Sequence, residues 1–157
     1  MSMPTDNGKE YFVKDFYRRT LNILSSTQCE YDVALLINSM VGLLVVPKER
    51  YFYSMYVPDN YVDPDILKKI RTTFKSNPDI SLTQILRRLR NSVCHGNMEI
   101  KAEKSNYIGG QPKIGSIVFN DRDGTSAEIT IDLLKNFLIS FVTNVCSNAE
   151  EKVVTDK

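Results

Sequence analysis

Apolar positions recur at helical spacing along most of the chain. The first run, Val13, Phe16, Tyr17, Leu21 and Leu24, predicts a helix over about residues 10–26. The second, Glu30 to Val46, reads EYDVALLINSMVGLLVV. Its second half is apolar nearly all round, the mark of a helix buried in the middle of a bundle, and Pro47 ends it. Asp63-Pro64 has the form of an N-cap followed by proline at the first helical position, opening a helix that carries Ile66, Leu67, Ile70 and Phe74 until Asn77-Pro78 breaks it. Ser81 and Gln84 match a capping box, with Leu82, Ile85, Leu86, Leu89 and Val93 as the core stripe behind it and Gly96 as the stop. Leu134, Phe137, Leu138, Phe141 and Val145 predict a closing helix from about Asp132.

After Asn97 the period changes. MEIKAE, SIVFND and SAEITI, with a turn at Asp121 to Gly124, predict a small hairpin of short strands, and IGGQPKIG before it reads as a loop. The expected fold is mainly α: a bundle of about five helices with a small β-hairpin inserted before the last. Residues 1–9 read as a flexible N-terminus, 10–148 as one domain and 149–157 as a flexible tail. The aromatic stretch with Tyr51, Phe52, Tyr53, Tyr56 and Tyr61 is either a connection packed on the bundle or a stacking surface for bases.

Composition narrows the function classes. With 157 residues and 42% hydrophobic content, the chain has enough for one domain with its own core. Net charge is +1, so any basic surface must be local. No apolar run is long enough for a membrane span, and the polar start lacks the build of a signal peptide. Cys29, Cys94 and Cys146 are odd in number and far apart, so they read as reduced, mostly buried thiols of a cytoplasmic protein. They also make a structural zinc site within one chain an unsuitable reading. No cofactor is expected, and without a glycine-rich phosphate cradle or a Gly-Ser plus paired-Asp block, nucleotidyl transfer is disfavoured.

Candidate chemistry gathers in SLTQILRRLRNSVCHGN, residues 81–97. His95 is the only histidine, and histidine can both take and give protons near neutral pH. Arg90 precedes it by five positions and can hold a phosphate through its fork of donors. Arg90-Asn91, three further residues, His95 and then Gly96 resemble the motif of the HEPN superfamily. The apolar block LLINSMVGLLVVPKE, residues 35–49, ahead of RNSVCHGN resembles small bacterial HEPN nuclease-like proteins in particular. The resemblance covers most of residues 10–148. It implies a metal-independent endoribonuclease in a toxin–antitoxin, phage-defence or RNA-processing system. It also implies RNA as substrate, a homodimer whose two motifs face each other, and an antitoxin protein as a further partner. The alternative it leaves open is a non-catalytic HEPN domain that binds RNA or protein, or serves as an immunity module.

RNA cleavage by its own 2′-hydroxyl needs a base, an acid and positive charge for the phosphorane-like transition state. One histidine cannot readily serve as acid and base together, and a symmetric dimer would bring two. Around an ideal helix Arg90 and His95 stand roughly 140° apart. Either the helix breaks near residues 94–96 or the pair works across a dimer. Asn91 shares a face with His95 and is expected to orient the imidazole. Asn38 and Ser39, polar in an apolar helix, are either buried hydrogen-bonders or supports for the site. Read without the resemblance, His95 is a helix-end histidine and Arg87, Arg88 and Arg90 a solvated face. Cys94 lacks an orienting third residue and is a poor candidate nucleophile.

Overall fold

The structure, a computed structural model, describes residues 18–22, 32–42, 57–108 and 111–155. Residues 18–22 are helical. The elements that follow are α1 (Asp32–Met40), α2 (Pro64–Thr73), α3 (Leu82–Cys94), β1 (Met98–Ile108), β2 (Gln111–Asn120), β3 (Ser126–Thr130) and α4 (Ile131–Thr155). A 3₁₀ turn at Asp59–Tyr61 precedes α2. No helix among the described residues is long and apolar enough to cross a membrane.

The fold is mixed α/β, which corrects the expectation of a mainly α bundle with a small hairpin. The three strands form an antiparallel sheet in the order β1-β2-β3. Two of them are long, with 11 residues in β1 and 10 in β2. The stretch IGGQPKIG, expected as a loop, lies mostly within them, since Ile108 pairs with Gln111 and Tyr107 with Pro112. Pro112 falls within β2. It is tolerated because β3 flanks β2 only from Ser116 to Asn120, so Pro112 lies where β2 is paired on one side alone and no ladder bond to β3 is lost.

The helix ends follow local chemistry. Asp63 Oδ1 accepts from the backbone N–H groups of Asp65 and Ile66 at the start of α2. Ser81 Oγ accepts from the N–H of Gln84 at the start of α3. A second carboxylate, Asp59, reaches the same terminus: its Oδ1 accepts from Leu82 N at 3.0 Å and its Oδ2 from Arg71 Nη2 at 2.7 Å. Arg71 Nε donates in turn to the carbonyl of Ile80, so one arginine ties α2 to the entry of α3. The Leu82 N–H, foremost, holds the Asp59 carboxyl below the ordinary carboxylate range, with Arg71 adding to it.

One face of the sheet joins the core. Ile117 and Phe119 of β2 and Ala127 and Ile129 of β3 are buried with Leu67 and Ile70 of α2, Leu82, Ile85 and Leu89 of α3, and Leu134, Phe137, Leu138, Phe141 and Val142 of α4. The expected apolar stripes of α2, α3 and α4 all turn inward, with Leu86, Val93 and Val145 partly buried at the margins. Leu36 and Met40 of α1 belong to the same core. The opposite sheet face sets a buried Val118 among polar side chains: Glu128 takes a hydrogen bond from Ser116 and faces Lys101 at 3.6 Å. In the segment before α2, Val57 and Tyr61 pack partly buried on the core and Val62 is buried; Tyr51, Phe52, Tyr53 and Tyr56, the rest of the aromatic stretch, lie outside the described residues.

Leu89 is fully buried at the centre of α3, so Leu89→Ala should cost about 2–5 kcal/mol in urea denaturation through the cavity it leaves. Lys101→Ala, which removes one exposed ion pair, should stay within about 1 kcal/mol of wild type.

Candidate active site

Helix α3 runs unbroken through the motif. Its last residue is Cys94, and His95 is the C-cap, its N–H still bonded to the carbonyl of Asn91 at 3.1 Å. The chain leaves the helix one residue later. Gly96 has φ +65°, its N–H donates to the Val93 carbonyl, and the N–H of Asn97 donates to the Ser92 carbonyl at 2.8 Å. These two bonds form a Schellman motif, which needs a left-handed residue at this position and explains the glycine.

The break therefore comes after His95, and helical spacing governs where the two motif residues point. On an ideal helix Arg90 lies on one flank of the stripe Leu82, Ile85, Leu89 and Val93, and His95 on the other, roughly 140° away. Their surroundings differ accordingly. Arg90 is half-buried with its Nε out of solvent, whereas His95 is exposed. The helix ends within residues 94–96, as one of the two expected arrangements has it, and there His95 meets Arg122.

On the flank with His95 stand Arg88, Asn91 and Ser92, and the β2–β3 turn docks there. The turn is closed by Gly124 N donating to the Asp121 carbonyl, with Gly124 at φ +87°. Asp121 reaches across to α3, where its Oδ2 accepts from Arg88 Nη1 at 2.8 Å and from Asn91 Nδ2 at 3.4 Å. Asp123 pairs with the same Arg88 nitrogen. Ser92, a buried polar residue, bonds the Arg88 carbonyl and the Asn120 carbonyl with its hydroxyl. Asn120 N donates to the Asn97 carbonyl, so the strand end is fastened to the helix end at several points.

Arg122, in that turn, contacts the histidine. Its Nη2 lies 3.2 Å from His95 Nδ1, and its own backbone N–H donates to Asp121 Oδ1. Sequence reasoning missed Arg122, which is 27 positions from His95. The only signal was the predicted Asp121–Gly124 turn, whose docking against the end of α3 no local pattern reveals.

The remaining expected residues are distributed as follows. Asn91 bonds Asp121 rather than the imidazole. Asn38 is exposed on α1, and no hydrogen bond joins it to Arg90, Asn91 or His95; Ser39 beside it is buried. Cys94 is an exposed free thiol, contrary to the expectation of burial. Among the described residues, no group of three or more His, Cys, Asp or Glu side chains is arranged to hold a metal ion.

Asp121 is the electrostatic centre of this arrangement. Its side chain is only 7% exposed, and the Arg88 hydrogen bond, foremost, holds its carboxyl below the ordinary carboxylate range, aided by the Arg122 N–H and Asn91 against opposing burial. The Arg88 guanidinium is pushed up in return, chiefly by Asp121. A carboxyl whose native pKa is depressed stabilises the fold above its unfolded value, about 3.9, and that stability is lost as pH falls through the lower native value. Asp121→Asn should therefore be less stable at pH 7 by about 1–3 kcal/mol. Its stability should also fall less than that of wild type between pH 5 and pH 2, as read by urea denaturation at each pH.

A family model described as HEPN pEK499 p136 matches residues 1–153. No curated protein and no solved structure matches the chain. The match spans nearly the whole sequence, including the apolar helix, the motif helix and the sheet. The chain therefore belongs to the HEPN superfamily, in the family described as HEPN pEK499 p136.

Proposed function

We propose that the protein is a metal-independent endoribonuclease, acting as a toxin or phage-defence effector in the cytoplasm and restrained by an antitoxin protein. Membership of the HEPN superfamily points to a nuclease or RNA-binding role. The observation that carries the finer reading is an exposed His95 at a helix end, beside cationic side chains, in a chain with an intact Arg90–His95 motif.

In the proposed reaction the 2′-hydroxyl attacks the adjacent phosphorus and the bond to the 5′-oxygen breaks. A base takes the hydroxyl proton and an acid returns one to the leaving oxygen, giving a 2′,3′-cyclic phosphate and a 5′-hydroxyl. His95 carries proton transfer and Arg90 stabilises charge on the phosphate oxygens. The divergence of Arg90 and His95 around α3 supports a homodimer in which the Arg90 of one protomer meets the His95 of the other. That arrangement also brings a second imidazole, so that acid and base are separate groups. Asn91 supports the site from the helix by holding Asp121. Asn38, exposed on α1, is a candidate for support from the dimer side.

The net charge of +1 favours one other reading, a non-catalytic RNA- or protein-binding module. The assay that separates the two uses purified protein, total RNA and excess EDTA. Cleavage to cyclic phosphate ends is expected from wild type. His95→Ala should be slower by about 10²–10⁴-fold with an unchanged melting temperature, because the side chain is exposed. Arg90→Ala should also lose activity, and its half-burial predicts a lower melting temperature as well. Cleavage that needs added divalent metal and leaves 5′-phosphate ends would overturn the mechanism. RNA binding without cleavage would favour the module.

The dimer makes a separate prediction. Wild-type chains mixed with a tenfold excess of His95→Ala chains should lose activity as heterodimers form, read as the initial rate of cleavage. A monomer by sedimentation at micromolar concentration, retaining full activity, would rule out the shared site.

A further inference from the structure

We propose that Arg122 is a positioning residue for His95, fixing the ring so that Nδ1 accepts a hydrogen bond and Nε2, carrying the proton, faces the substrate. The proposal rests on the reading of His95 as the catalytic histidine. Its geometric basis is the 3.2 Å contact between Arg122 Nη2 and His95 Nδ1. A guanidinium has five N–H donors, no acceptor and a permanent charge, so the contact is made only by a ring whose Nδ1 offers its lone pair. In the neutral imidazole the single proton then resides on Nε2.

Arg122 is itself held in place. Its N–H is bound by Asp121 Oδ1, and Asp121 Oδ2 is bound by Arg88 and Asn91 from the flank of α3 that carries His95. The polar residue of the motif thus acts on the histidine indirectly, through Asp121 and then Arg122, and not by bonding the imidazole. The same chain of contacts supplies a cation next to the ring within one protomer, on the flank that Arg90 does not reach. With Nδ1 engaged, His95 presents a hydrogen-bond donor N–H to a phosphate oxygen but cannot give that proton up, because the neutral ring would become imidazolate. For Nε2 to take the 2′-hydroxyl proton instead, the ring must first release Arg122 and move its proton to Nδ1. To act as the acid the ring must carry a proton on both nitrogens, which also releases Arg122; Arg122 therefore holds the resting ring as a hydrogen-bond donor, and proton transfer follows its release.

Because His95 is the only histidine, ¹⁵N labelling of the full chain gives one pair of imidazole nitrogen resonances and no assignment problem. At a pH where the ring is neutral, wild type should show an unprotonated Nδ1 and a proton-bearing Nε2. In Arg122→Ala the Nδ1–H form should enter, moving both nitrogen shifts towards each other, and Arg122→Lys, which keeps a cationic donor, should restore much of the wild-type pattern. Asp121→Asn should move the shifts in the same direction as Arg122→Ala. On RNA, Arg122→Ala should raise KM about tenfold, the scale of one lost hydrogen bond to a charged group, because the ring no longer holds its N–H towards the phosphate, with a smaller change in kcat. Both Arg122 and His95 are exposed, so the substitution leaves the core untouched. Ring shifts identical in wild type and Arg122→Ala, or a protonated Nδ1 in wild type, would overturn the proposal. The expected ring shifts in a wild type that cleaves no RNA would instead sink the nuclease reading and leave the positioning of His95 standing.

Discussion

A carboxylate with little access to water fastens the β2–β3 turn to the end of α3. Asp121 lies at the end of β2, and the residues that bind it, Arg88 and Asn91, lie on α3. Burying a charge is costly unless it is paired and hydrogen-bonded, and Asp121 accepts from a guanidinium, a side-chain amide and a backbone N–H. Removing the Arg88 guanidinium would leave this charge without its counter-ion, whereas losing the Asn91 amide at 3.4 Å would leave one fewer bond. The turn, the strand end and the helix end are therefore coupled, and the Schellman termination at Gly96 and the Ser92 hydroxyl complete the join. The geometry around His95 is set by this join more than by the histidine itself.

The core has a different logic. Its parts meet through apolar stripes that need only correct spacing, and Asp59 with Arg71 sets the angle at which α3 enters. The core fixes the axis of α3 and the docked turn fixes what surrounds its end. A cavity at Leu89 would weaken the whole fold, whereas changes at Arg122 act on one ring.

What could be read from the sequence follows from how local each signal is. The Asp63 and Ser81 caps, the Gly96 stop, the Asp121–Gly124 turn and the inward stripes of α2, α3 and α4 each depend on a few neighbouring residues, and each is found where it was expected. The extent of the sheet was not legible. Pro112 fits β2 because the pairing there is one-sided, and Gly109-Gly110, a hairpin dipeptide, was absorbed into an expected loop. The contact of Arg122 with His95 depends on the register of two strands and the docking of their turn, so it lay beyond any window along the chain. The role given to Asn91 failed for a related reason. A shared helix face puts Asn91 near His95, but a buried anion on the same flank competes for its amide and wins.

Charge shows how a nearly neutral chain can offer a surface suited to a phosphate. Around the end of α3 stand Arg87, Arg88, Arg90 and Arg122, with Asp121 and Asp123 as the acidic side chains of the docked turn. Arg88 is paired with both aspartates, so its charge is neutralised within the join. The cation left nearest to His95 in the same protomer is Arg122, while Arg90 projects from the other flank of the helix. Two cations on opposite flanks of one helix suit two copies of the helix better than one. In the proposed dimer each His95 would meet its own Arg122 on one side and the partner protomer's arginine on the other. A phosphate between them would be held by side chains whose placement is set separately, one by the docked turn and one by the dimer interface. On that view the turn is part of the site and not only a connection between strands.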